Sequence, residues 1–183
     1  RDLRMSRGLG DVYKRQGEAL PELRDIMHKI KETYDVSKEN VGVGSTIFAV
    51  KPGDGSAREQ AASCQKVLGG WANIANEYAT KRYRSNLINW GMLPFIVDKG
   101  ELPFANGDYI FIPQITEAVK NKATSMKAYV VNKDMKEFTL KMDELTDDER
   151  QIILDGCLIN YYSKRAGEDN GRAEYTKCRP ECS

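Results

Sequence analysis

Histidine and paired cysteine are what this sequence most conspicuously lacks. It has one histidine and four cysteines in 183 residues, and Cys64, Cys157, Cys178 and Cys182 include no C-x-x-C pair. Cys178 and Cys182 form a lone C-x-x-x-C without a second ligand pair, which argues against a zinc or iron-sulfur site built by this chain alone. Cys64 and Cys157 are expected as small buried hydrophobes. No apolar run approaches the length that spans a bilayer. The charged start has no apolar signal region, so the chain reads as cytoplasmic. A formal net charge of +1 gives no global pull toward nucleic acid or acidic lipid. There is no internal repeat, and 40% apolar content suits one substantial core.

Against these absences stands one dense run, Gly53-Asp54-Gly55-Ser56-Ala57-Arg58-Glu59-Gln60-Ala61-Ala62. It places glycines, a hydroxyl, a guanidinium and a helix start within ten positions. Glycine lets backbone approach a ligand closely, and the free amides and dipole of a helix N-terminus favour an anion. Ser56 and Glu59 also fit the S-x-x-E pattern of a capping box, whose only duty is to satisfy those same amides. Ser56 and Arg58 are the candidates for chemistry if the anion reading holds.

The run continues into Leu68-Gly69-Gly70 and then Asn86-Leu87-Ile88-Asn89-Trp90-Gly91-Met92-Leu93-Pro94. In order and spacing, from about Ser45 to Leu158, this resembles the C-terminal swivel domain of the aconitase and isopropylmalate dehydratase superfamily. The family pattern there is G-S-S-R-E-x-A, L-G-G, a strand and N-L-x-x-x-G-L-L-P. The resemblance implies that Ser56 is the catalytic base and that Arg58, with Gly55 and Ala57 beside it, binds a substrate carboxylate. A serine alkoxide needs stabilisation, and helix amides with a nearby guanidinium have the right sign to provide it. A planar fork also suits a carboxylate better than a lysine point charge. Ala57 departs from the family, which has a second serine there; the missing hydroxyl removes one contact to a carboxylate and leaves the choice of hydroxy di- or tricarboxylic acid open. No residue, Arg24 included, is assigned the family's further substrate-binding arginine.

The resemblance also implies a 4Fe-4S cluster held by cysteines of domains that precede the swivel domain, with none bound by this chain. The partners implied are those cluster-bearing domains, on the same chain or on a separate subunit, and the chain alone is expected to be inactive. The family's D-x-I-x-x-D-x-I segment is not found upstream. Residues 1–16 have no usable apolar periodicity, and Ser6 to Gln16 resembles translated sequencing-adapter sequence. The expected organisation is a non-native or disordered extension over 1–16, a swivel domain over 17–165 and a loose, glycine-rich charged tail over 166–183.

Along the chain, Pro21 opens a helix with Leu23, Ile26, Met27, Ile30 and Tyr34 on one face. His28 on it reads as a solvated helix residue, having no positioned partner. Strands are expected at 43–50, 71–75, 95–97, 108–115, 126–131 and 137–142, the last two joined as a hairpin by Asn132 to Met135. Helices are expected over 57–68, ended by Gly69-Gly70, and from an N-cap at Thr80 to about Trp90. Thr146 with Glu149 makes a capping box for a final helix through Ile152, Ile153, Cys157 and Tyr161. Lys81, Arg82, Tyr83 and Arg84 raise the alternative of an RNA- or anion-binding module without catalysis, against a solvated helix face with its aromatics turned inward. The fold class is α/β: a mixed, barrel-like sheet flanked by helices.

Overall fold

The computed structural model describes residues 21–34 and 41–173, with side chains over 24–34 and 41–166. Expectations on residues 1–16, on Leu23 and on the two C-terminal cysteines lie outside these. In chain order the elements are α1 (Pro21–Tyr34), β1 (Ser45–Ala49), α2 (Arg58–Val67), β2 (Gly70–Ala75), α3 (Lys81–Asn89), β3 (Leu93–Ile96), β4 (Ile110–Phe111), α4 (Ile115–Lys120), β5 (Ser125–Val130), β6 (Lys136–Lys141), α5 (Asp147–Asp155) and α6 (Leu158–Ala173).

The six strands form one mixed, curled sheet in the order β1-β2-β3-β6-β5-β4. β1, β2 and β3 are parallel, which requires crossovers, and α2 and α3 supply them. β3 then meets β6 antiparallel at Ile96 and Lys141, and β6, β5 and β4 continue antiparallel. A β5–β6 turn with Asp134 and Met135 both at positive φ closes the expected hairpin. This is the expected α/β swivel architecture.

The main core lies within the curl, where Ile74, Phe95, Val97, Ala128, Val130 and Leu140 meet Ile88, Val119 and Ile152 from the helices. A smaller cluster on the other side of β2 joins Ala62, Tyr83, Leu87 and Met92. β2 is therefore covered on both faces, as a central parallel strand must be. α1 sets Ile26, Met27 and Ile30 against Val131, Tyr109, Phe111 and Met135, and Tyr34 stacks at a tilt on Phe111, 5.1 Å between centroids.

Three expectations need correction. The strand over 108–115 shrinks to two residues, because Pro113 and a left-handed Gln114 turn the chain into α4; Ile115, Ala118 and Val119 recur at helical spacing and pack on the core. The final helix breaks at Gly156, which caps α5 in the left-handed region, and α6 runs on to Ala173, past Arg165. Cys64 is exposed and Cys157 only half-buried. The buried residue of α2 is Ala62, set against Tyr83, Leu87 and Met92, so Val67 and Leu68, at 70% and 78% exposure, face solvent with Cys64.

Candidate functional site around Ser56 and Arg58

The serine loop leaves the C-terminal end of β1 and enters α2, and the β2–α3 loop leaves the same end of the neighbouring strand. Open α/β sheets bind ligands outside these strand ends. The two loops are joined by a short ladder: Glu77 N donates to Val50 O at 3.1 Å and Ala79 N to Pro52 O at 2.9 Å. One step further, Thr80 Oγ1 donates to Gly53 O at 3.1 Å. Gly53 sits at φ +95°, and a Cβ there would lie 2.5 Å from Tyr83 side-chain atoms. Only glycine lets this backbone rest on the tyrosine.

Ser56 is exposed and Ala57 with it, while Arg58 is half-buried. The capping box drawn from Ser56 and Glu59 does not form. The N-cap of α2 is Ala57, without a side-chain cap bond, and Glu59 Oε1 instead accepts from Trp90 Nε1 at 3.0 Å. The Ser56 hydroxyl makes no hydrogen bond among the described residues, so it stands at a helix start whose amides have no side-chain partner. Arg58 Nε donates to Gly53 O at 3.2 Å. Its two terminal nitrogens face no protein acceptor among the described residues, which leaves the fork open to a carboxylate. A Cβ at Gly55 would meet nothing within 4 Å, so the loop's outer side is open.

Beneath the loop lies a polar network that reasoning from local pattern missed. Asn73 is fully buried on β2 and donates to Gln65 Oε1 at 2.9 Å. Gln65 Nε2 donates to Tyr83 Oη at 2.8 Å, and Asn73 Nδ2 lies 3.4 Å from the same oxygen. Tyr78 Oη reaches Asn73 O at 3.0 Å and Phe95 O at 3.1 Å, bridging β2 and β3. Burial, and then the neighbouring Tyr83, push the Tyr78 phenol far above its ordinary value, so it stays a neutral donor. The available signal was Asn73 itself, an amide inside an apolar strand. Tyr83→Phe should lower stability by about 1–2 kcal/mol in urea melts, because it strands the Gln65 Nε2 donor and leaves Asn73 Nδ2 with Gln65 Oε1 alone.

Elsewhere the residues singled out do less. His28 is exposed and lies 3.7 Å from Glu32 one helical turn on, as a solvated residue should. On α3, Lys81 and Arg82 are exposed and Tyr83 is buried. Arg84 is tied down, donating to Glu144 O at 2.9 Å beside Asp143. Among the described residues no three His, Cys, Asp or Glu side chains gather to hold a metal. Cys64 lies on α2 and Cys157 in the turn between α5 and α6, and the two offer no ligand set for an iron-sulfur cluster. No helix among the described residues is long and apolar enough to cross a membrane.

The aconitase C-terminal domain family matches residues 30–100. The solved structure of a 3-isopropylmalate dehydratase from Methanocaldococcus jannaschii superposes with a TM-score of 0.53 and 31% identity, over 73% of this chain and 72% of that one. The chain belongs to the aconitase superfamily, as a C-terminal swivel domain. Among curated proteins, this swivel domain is 30% identical to aconitate hydratase A of Rickettsia bellii over 152 residues, 79% of the chain and 17% of that protein. It is 34% identical to the methanogen homoaconitase small subunit of Methanocaldococcus jannaschii over 113 residues, 62% of the chain and 58% of that subunit. The chain thus spans less than two thirds of either curated relative.

Proposed function

We propose that this swivel domain completes the active site of a hydro-lyase that removes and restores water on a hydroxy di- or tricarboxylic acid. Ser56 takes the proton from the carbon beside a carboxylate, and Arg58 holds a carboxylate through its open fork. Gly55 and Ala57 line the approach. The observation that carries the reading is the pairing of a free, exposed Ser56 hydroxyl with an uncapped α2 start and an Arg58 anchored by its Nε alone. Helix amides and the guanidinium stabilise the serine oxygen as it gives up and regains its proton. Because the described residues do not fit an iron-sulfur cluster, we assign any cluster to partner domains and derive from this chain only binding, orientation and proton transfer.

Two arrangements are equally supported, as the relatives include one long aconitate hydratase and one separate small subunit. In either, the chain by itself is inactive and the site forms against the partner. The test is to purify the chain with its cluster-bearing partner, whether fused or separate, and screen tricarboxylates and smaller hydroxy diacids for the ultraviolet absorbance of a new double bond. Turnover by the assembly and none by either part is the expected result. An assembled, cluster-loaded complex that leaves every hydroxy acid unchanged rejects the reading.

A further inference from the structure

We infer that Thr80 is a positioning residue, which sets the serine loop and, through it, the direction of the Arg58 fork. This rests on the hydro-lyase reading of the same site. Two donors, Thr80 Oγ1 and Arg58 Nε, converge on the single carbonyl of Gly53, at 3.1 and 3.2 Å. A carbonyl has two lone pairs, so both bonds form together, and the oxygen becomes a fixed pivot for the guanidinium. The same Thr80 hydroxyl oxygen accepts from Tyr83 N at 3.2 Å, capping α3. Its proton is thereby directed to Gly53 and its lone pair to the helix.

The cap alone does not explain the side chain. Aspartate or asparagine caps a helix as well as threonine does, but an aspartate has no proton to give Gly53. Behind the pivot, the Tyr83 ring fills the space a Gly53 side chain would need, and Gln65 and Asn73 hold the Tyr83 hydroxyl. The ladder from Val50 and Pro52 to Glu77 and Ala79 aligns the two loops. Thr80 is the last rung and the one nearest Ser56, made by a side chain; at the far end of the ladder Lys51 Nζ pairs with Glu77 Oε1 at 2.8 Å. With Thr80 gone, Gly53 O keeps only the arginine, and the pivot and fork swing together.

Hydrogen exchange on the full chain separates tether from cap. Thr80→Ser should match the parent throughout. Thr80→Asp should keep the Tyr83 amide protected while exchange of the ladder amides Glu77 and Ala79, which bond to Val50 O and Pro52 O, rises about fivefold, the scale of one lost hydrogen bond. Thr80→Ala should release both. In the assembled enzyme, Thr80→Ala should raise the KM for the hydroxy acid about fivefold with kcat within about twofold, and Thr80→Ser should restore it. Unchanged exchange at Glu77 and Ala79 in Thr80→Asp overturns the proposal, as does a Thr80→Ala enzyme with the parent KM. If the parent assembly shows no turnover, the hydro-lyase reading falls, and ladder exchange alone decides whether Thr80 sets the loop.

Discussion

Ser56→Ala in the assembled enzyme should lower kcat by about a thousandfold or more while leaving substrate affinity within a few-fold, since a positioned base is worth roughly 10²–10⁴ in rate. The structure makes this a clean experiment. Ser56 is exposed and caps nothing, the N-cap role having passed to Ala57. Removing its oxygen therefore strands no buried partner, and the variant should melt with the parent. Carboxylate binding stays with Arg58, whose anchor on Gly53 O does not involve the serine. The check is steady-state kinetics on the assembly, together with direct measurement of substrate binding. A variant that turns over at the parent rate removes Ser56 from the chemistry. One that loses binding and rate together makes it a substrate contact instead.

Gly91→Ala should be the most damaging single methyl in the described fold, costing about 2–5 kcal/mol. Trp90 and Gly91 end α3 in a Schellman turn, with Gly91 N donating to Ile88 O at 2.7 Å and Met92 N to Leu87 O at 2.9 Å. The turn requires φ +67° at Gly91, which costs an L side chain about 1–2 kcal/mol. The larger share comes from space, because a Cβ there would sit 1.8 Å from Gly156 O and 2.5 Å from its carbonyl carbon. Both groups are backbone at the junctions α3–β3 and α5–α6, so no rotamer change relieves the clash, and overpacking adds roughly 1–3 kcal/mol. Gly69→Ala is the control. It has φ +86° but nothing within 4 Å of its Cβ, and should cost about 1 kcal/mol. Urea midpoints for the two variants measure the difference; equal losses would show that α5 and α6 yield to the methyl.

Much of the site was readable along the chain because its parts are contiguous. Gly53 to Ala62 carries the loop, the hydroxyl, the guanidinium and the helix start in order, and the parallel β1-α2-β2-α3-β3 unit follows from strand and helix periods with glycine stops. The Thr146–Glu149 capping box formed as its spacing predicts. Misreadings arose where a local pattern has two solutions. Ile110, Ile112 and Ile115 can continue a strand or start a helix, and the choice fell to the turn at Pro113 and Gln114. Ser56 and Glu59 can cap one another, but Glu59 found the Trp90 indole, 31 positions away.

Sequence alone determined which groups the loop carries and that a helix begins beside them, because those are matters of residue type and short-range geometry. Tertiary structure decided which of them are free. It freed Ser56 by moving the cap to Ala57, anchored Arg58 by one nitrogen, exposed Cys64 by resting α2 on Ala62, and brought Thr80 to Gly53 across 27 positions. Such pairings form only when two parallel strands set their loops side by side, and no pattern within one segment records them.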